Sequence, residues 1–158
     1  MLAEHYLLIK TIHIVSSTLL FGTGLGTFFF MIRATRSGNA EAVRVTAATV
    51  VLADWIFTSP AVVVQFVTGL MLMQILGISF FSVWFGVILA LFCAVGALWL
   101  PVVWIQLQLR NMLKTMQPGA ALPSRFIKLV RVWELMGYPA FSMVVIIFAL
   151  MVYKPWLS

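Results

Sequence analysis

Charged residues and cysteine are scarce in this sequence. Only four of its 158 residues are acidic, and charged residues make up 9% of the chain, against about 25% in a typical soluble domain. So few charges cannot cover a water-facing surface, which excludes a soluble globular enzyme and a highly charged disordered tail. The single cysteine, Cys93, excludes an internal disulfide and a metal cluster held by several thiolates.

Hydrophobic side chains take the place of the missing charges. They make up 63% of the residues, and the mean hydropathy is +1.11. No charged residue occurs from Trp55 to Leu109, a stretch long enough to cross a hydrocarbon layer of about 30 Å twice. We therefore predict an integral membrane protein in contact with the lipid bilayer. Its net charge of +6 belongs to the connections between apolar spans, so we predict no nucleic-acid partner.

Four apolar spans cover most of the chain, and we predict them at about residues 6–32, 50–76, 83–109 and 132–153. Neither a domain boundary nor an internal repeat interrupts them. We therefore predict one transmembrane domain over residues 1–158, an all-α four-helix bundle.

Local signals place the ends of these helices. Asn39 is suited to cap a helix that begins near Ala40, before the second span enters the membrane. Pro60 predicts a kink in that helix. Turns are predicted at 77–82 and at Pro118-Gly119, with a new helix opening at 123–124. Four tryptophans near span ends are predicted to lie at the membrane interface: Trp84, Trp104, Trp133 and Trp156.

The distribution of basic residues predicts the orientation. Eight of the ten Lys and Arg residues lie in the first and third connections, namely Arg33, Arg36, Arg44, Arg110, Lys114, Arg125, Lys128 and Arg131. Only Lys10 and Lys154 lie at the opposite ends of the spans. Because basic loops stay in the cytoplasm, we predict both termini on the non-cytoplasmic side.

Polar side chains within the spans are costly and are therefore candidate functional residues. The candidates are His13 in the first span, Asp54, Gln65 and Gln74 in the second, Gln106 and Gln108 in the third, and Glu134 in the fourth. At about 100° per residue, Ser17 and Gly24 share the face of His13, and Gln65 shares the face of Asp54.

His13 has two interpretations. It is either a neutral imidazole that is hydrogen-bonded to a neighbouring helix, through Ser17 or a glutamine, or a ligand of haem b or of copper. The haem site predicted by the second interpretation comprises His13, Lys10, Ser17 and Gly24, and the copper site comprises His13, Met71 and Met73. Because the spans offer one histidine, a haem would need a methionine or a homodimer for its sixth ligand.

The acidic residues also have two interpretations. Asp54 and Glu134 either pair with an arginine such as Arg131 or Arg44, or belong to a polar relay with Gln65 that leads toward His13. The glycine-rich segment from Gly22 to Gly26 follows no strand, so it predicts close helix packing and not a nucleotide site.

Several segments carry a family resemblance. The opening Tyr6-Leu-Leu-Ile-Lys10-Thr-Ile-His13 resembles the first helix of a group of small bacterial membrane proteins. With Trp99-Leu-Pro101-Val-Val-Trp104 and Gly137-Tyr-Pro139-Ala-Phe141, the chain resembles a bacterial family of predicted integral membrane proteins with a domain of unknown function. This resemblance implies a multi-pass protein of the bacterial cytoplasmic (inner) membrane.

A more distant resemblance, in the Lys-x-x-His of the first span, is to HemJ-type protoporphyrinogen IX oxidases and to CopD-type copper-resistance domains. It implies a haem-binding role for His13, with haem b as cofactor and copper as the alternative. The third span lacks the lysine of the HemJ pattern, which argues against protoporphyrinogen oxidation. Three functions follow: a haem-binding oxidoreductase with a membrane redox partner, a metal or small-solute transporter or accessory subunit, and a non-catalytic scaffold.

Overall fold

Four long helices make up the computed structural model, which describes residues 3–117 and 120–154. They are α1 (Tyr6–Arg36), α2 (Ala40–Ile75), α3 (Val83–Lys114) and α4 (Ser124–Tyr153), and a single 3₁₀ turn, Ala3–His5, precedes α1. Each helix is long and apolar enough to cross a membrane, and the described residues contain no strand. The predicted all-α bundle of four spans is confirmed.

The helices extend beyond the predicted spans at one end of the bundle. We call it the basic end; it holds the turn at 37–39 and the connection at 115–123. We call the opposite end, with the turn at 76–82, the terminal end. At the basic end α1, α3 and α4 each run past their predicted limits, and α2 begins at Ala40. The predicted turn at Pro118-Gly119 lies outside the described residues.

Asn39 caps α2, as the sequence predicts. Its side-chain oxygen accepts hydrogen bonds from the backbone N–H groups of Glu41 and Ala42, at 3.0 and 3.1 Å. These bonds satisfy two of the N–H groups that a helix start leaves without a partner. Glu41 also places a negative charge at the positive end of the helix dipole.

The turn after α2 depends on Gly77. Its φ of +64° lies in the left-handed region that glycine adopts without strain. This conformation lets the Ile78 N–H reach the Met73 carbonyl and the Gly77 N–H reach the Gln74 carbonyl, which is the Schellman arrangement. Ser82 then caps α3 by accepting from the Phe85 N–H.

A π-helical turn widens α2 in the middle of the membrane. It covers Asp54–Thr58 and ends just before Pro60, where the sequence predicts a kink. Proline has no N–H to donate, and its ring clashes with the carbonyl four residues earlier in an α-helix. A wider turn before it removes that clash. Asp54 and Thr58 are both buried within this turn.

Two separate clusters of buried side chains hold the bundle together. The larger one, at the basic end, draws on all four helices and comprises Met31, Val43, Ala47, Val50, Ile105, Leu109, Leu113, Phe126, Val130 and Trp133. The smaller one, at the terminal end, comprises Met73, Trp84 and Ile88. There the Trp84 indole N–H donates to the Leu150 carbonyl at 2.8 Å, which ties α3 to α4.

The tryptophans that the sequence places at the membrane interface differ in their exposure. Trp104 is exposed on the outer surface of the bundle, whereas Trp84 and Trp133 are buried. The prediction of an interfacial position is therefore wrong for these two, because each faces a neighbouring helix. Trp156 lies outside the described residues.

α1 packs closely against α4 at Gly137. A Cβ atom at this position would lie 2.5 Å from Cε2 of Phe28. The Phe28 ring has little room to move, since it contacts the rings of Trp133, Tyr138 and Phe141. The glycine is therefore needed for this packing, although Gly137 is in the middle of a helix.

Replacing Gly137 by alanine is expected to lower the free energy of unfolding by about 1–3 kcal/mol, the usual cost of overpacking. Gly22→Ala is the matched control, because a Cβ there meets nothing within 4 Å. It should be neutral or gain up to about 1 kcal/mol of helix propensity. Unfolding of both variants in mixed micelles measures the difference, and equal effects would contradict the packing role.

Candidate functional site

The four helices line a partly open cavity between the two clusters. Its volume is about 210 Å³, and every helix contributes to its wall. The wall is mostly apolar and rich in aromatic rings, which are those of Phe21, Phe28, Phe92, Trp99, Trp133, Phe141 and Phe148. The cavity lies in the middle third of the bundle, at the depth of the membrane core.

Three polar side chains line this cavity on the side of the basic end, and we call them the polar floor: Asp54, Gln106 and Trp133. Asp54 and Gln106 are each 6% exposed, and Trp133 is 3% exposed. Of the four buried side-chain atoms that have no hydrogen-bond partner among the described residues, three belong to this floor. They are Asp54 Oδ2, Gln106 Oε1 and Trp133 Nε1. The other Asp54 oxygen accepts from the Thr58 hydroxyl at 2.9 Å.

The energetic cost of the polar floor points to a ligand site. A buried polar group without a partner costs roughly 1–3 kcal/mol, and a charged one costs more. Native proteins therefore leave few such atoms, and each needs an explanation. Three of them on the wall of one cavity are explained together if the cavity binds a guest that forms hydrogen bonds.

His13 lies outside this cavity, in a network between α1 and α2. Its Nδ1 is 2.9 Å from Thr68 Oγ1, and its Nε2 is 2.9 Å from Gln65 Nε2. Because an amide nitrogen only donates, His13 Nε2 accepts, and Nδ1 carries the proton that is donated to Thr68. The network is complete with a neutral imidazole.

Neighbouring residues support this histidine. Ser16 donates to Gln65 Oε1 at 2.5 Å and so orients the amide. A Cβ at Gly69 would lie 3.3 Å from His13 Cε1, so the glycine leaves room for the ring. The sequence interpretation of a neutral imidazole bonded to a glutamine describes this geometry, but the serine is Ser16. Ser17 donates to the Ile14 carbonyl and lines the cavity.

The remaining residues of the predicted metal and haem sites each have different surroundings. Lys10 has its ammonium 5.5 Å from the centre of the Tyr6 ring. Gly24 lines the cavity, and Phe141 packs against it. Met73 belongs to the terminal-end cluster, while Met71 is half-buried on α2. Across 3–117 and 120–154, no group of three or more His, Cys, Asp or Glu side chains is arranged to hold a metal ion.

The acidic residues differ in their surroundings. Glu134 contacts Arg36 at 3.4 Å and accepts from the Tyr138 hydroxyl at 2.9 Å, so its arginine is neither of those suggested by the sequence. Arg44 instead pairs with Glu41. For Asp54, no ion pair is formed within the described part of the chain.

Gln65 is the one member of the predicted relay that contacts both regions. Its amide contacts His13, and the residue also lines the cavity with Asp54 and Thr58. The sequence placed Asp54 and Gln65 on one face and offered Gln106 as a candidate, because it is a glutamine in an apolar span, but nothing in the sequence joined it to Asp54. Trp133 was missed as a site residue, because it resembles an interfacial residue.

A polytopic α-helical membrane protein with an intramembrane cavity is the class that this fold and site define. Residues 7–155 match the model of the family described as predicted integral membrane protein (DUF2269). The chain belongs to that family. No curated protein and no solved structure matches it, so the more distant similarity to HemJ-type and CopD-type proteins stays an expectation.

A double-mutant cycle on His13→Leu and Gln65→Leu tests the network. We expect the two residues to be coupled by about 0.6–1.7 kcal/mol, the range measured for hydrogen bonds between membrane helices. Gln74→Leu serves as the control, because Gln74 is exposed on the same helix and should show no coupling to His13. Unfolding in mixed micelles gives the free energies, and a coupling as small as that of Gln74 would contradict the network.

Proposed function

We propose that this protein binds a small, largely apolar solute inside the membrane, as a transporter or an accessory subunit of one. The polar floor carries the proposal, since the three residues that hold these unpaired atoms line one mostly apolar cavity. Pockets of this composition, mostly apolar with a few convergent polar groups, are typical ligand sites. Both features lie within one chain, so the site does not require a homodimer or a redox partner.

The volume of the cavity limits the size of the solute. Pockets for drug-sized ligands measure about 300–1,000 Å³, and an engineered apolar cavity of about 150 Å³ accommodates benzene. At about 210 Å³, this cavity suits a molecule with a single ring, or an aliphatic body of similar size, and one small polar substituent.

A route from the lipid lies between α2 and α3. The rings of Phe66 and Phe92 stack across this boundary, with 5.9 Å between their centres. Phe92 lines the cavity, and Phe66 is exposed on the outer surface. Rotation of these two side chains would open the cavity sideways, so that an apolar solute could enter from the bilayer.

The predicted haem does not fit these residues. A haem exceeds a single-ring molecule in size, and His13 is not among the residues that line the cavity. Both ring nitrogens of His13 already have partners in α2. A haem or copper ligand at this position would have to displace Gln65 or Thr68, which would leave a polar group unpaired in the membrane. The geometry therefore favours the solute-handling function over the haem-dependent oxidoreductase.

The bilayer concerned is, by the family resemblance, the bacterial cytoplasmic membrane. The basic end then faces the cytoplasm, because eight of the ten Lys and Arg residues lie there. In this orientation the polar floor lies on the cytoplasmic side of the cavity, and His13 lies nearer the outer surface.

Filling the cavity is expected to abolish solute binding. Gly96 lines the cavity, and a Cβ there meets nothing within 4 Å, so Gly96→Leu adds bulk to the space without a backbone clash. The probe is para-fluorobenzyl alcohol, titrated by fluorine NMR into protein in phosphatidylcholine nanodiscs. We expect saturable binding that weakens at least about tenfold in the variant, or about 1.4 kcal/mol.

Gly86→Leu is the matched control for this experiment. Gly86 is also in α3, and a Cβ there also meets nothing within 4 Å, but it faces outward and does not line the cavity. Binding should be unchanged in this variant. Equal binding to both variants would place the probe in the lipid and would overturn the proposal.

Haem binding has a separate test. We expect protein produced with ample haem supply to show no Soret band that depends on His13, since both ring nitrogens are engaged. Visible spectra of the oxidised and reduced wild type and of His13→Ala measure this. A Soret band in the wild type that is lost in the variant would favour the oxidoreductase instead.

A further inference from the structure

Among the described residues that line the cavity, Asp54 is the only one with an ionisable carboxyl group. Among the residues that the structure describes, no Lys, Arg or His lines this cavity. The field inside is therefore that of a single carboxyl group surrounded by apolar and aromatic side chains. An anionic guest would be repelled by it and would meet no opposite charge.

Within residues 3–117 and 120–154, the Asp54 carboxyl group has no cationic partner. Arg36 pairs with Glu134, and Arg44 pairs with Glu41. Neither of these ion pairs of the described ranges involves Asp54. Thr58 donates to one oxygen of Asp54, and Oδ2 has no hydrogen-bond partner among the described residues. A carboxylate in such surroundings is strongly destabilised unless a positive charge comes close to it. A cationic guest would provide that charge.

The rest of the cavity also suits an ammonium group. Gln106 Oε1 is a second unpaired acceptor, and an ammonium carries several donors for such acceptors. The aromatic rings of the wall attract cations through their faces, and more strongly where water is absent. Trp133 Nε1–H is a donor, so it takes no part in binding the ammonium.

We infer that the solute is an organic cation, a small ammonium compound with an apolar body about the size of one ring. This inference rests on the proposed function and specifies its substrate class. The ammonium lies at the polar floor between Asp54 and Gln106, and the apolar body lies among the rings toward the terminal end. A neutral guest of the same shape fits the walls equally well but leaves the carboxyl group of Asp54 without a charge partner.

Three probes of one shape and different charge test the inference. They are para-fluorobenzylamine, which is cationic at neutral pH, para-fluorobenzyl alcohol, which is neutral, and para-fluorobenzoate, which is anionic. Each is titrated by fluorine NMR into the full chain in nanodiscs of zwitterionic phosphatidylcholine. We expect the amine to bind at least about tenfold more tightly than the alcohol, and the benzoate to show no saturable binding.

Asp54→Asn should remove the preference for the amine and retain binding of the alcohol. Glu134→Gln is the matched control: it removes an acid that pairs with Arg36 and does not line the cavity, so the preference should remain. The ratio of amine affinity to alcohol affinity is measured on the wild type. It therefore tests the preference for a cation even if the Asp54→Asn variant does not fold.

The outcomes separate this inference from the proposed function. Saturable binding of the alcohol without a preference for the amine would overturn the inference that the solute is a cation. It would leave the proposed solute site intact. An amine preference that survives Asp54→Asn would overturn the role of Asp54 in binding it. No saturable binding of any probe would overturn both proposals.

Discussion

Inside a hydrocarbon layer, a polar group must find its partner within the protein, because water is absent. The network around His13 obeys this constraint: one neutral imidazole, one amide and two hydroxyls form a consistent set of donors and acceptors between α1 and α2. Gly69 leaves space for the ring. The association of these two helices near the terminal end therefore depends on hydrogen bonds as well as on packing.

The polar floor does not satisfy the same constraint, and its unpaired atoms are the reason for interpreting the cavity as a ligand site. Its three atoms lack partners although tightly packed side chains surround them on the side of the basic end. The π-helical turn that Pro60 favours places Asp54 and Thr58 there. The turn that avoids a clash with Pro60 thus helps to place the Asp54 carboxyl group beside the cavity. The stability cost is local, and in the proposed solute site the same carboxyl group selects the guest by charge.

Sequence reasoning predicted much of the fold and part of the site. Long apolar stretches have few alternatives to membrane-spanning helices, and a cap such as Asn39 is a local interaction, so both were predictable. A glutamine was predicted as a partner of His13, because a buried imidazole needs a hydrogen-bond partner. Ser16 and Ser17 were confused, since their positions on α1 differ by about 100° and the direction of the neighbouring helix was unknown. Trp84 and Trp133 were misjudged because closeness to a span end does not reveal which side of a helix faces another helix.

By itself, the sequence determined the class of protein, the number of spans and the residues that must be protected from lipid, because hydrophobic length and the cost of buried polarity depend on composition and order along the chain. Only the tertiary structure decided which polar residues meet. Asp54, Gln106 and Trp133 come from three helices, and their convergence depends on how those helices pack around a cavity of about 210 Å³. The same packing assigned His13, the most conspicuous residue of the first span, to a closed network between two helices.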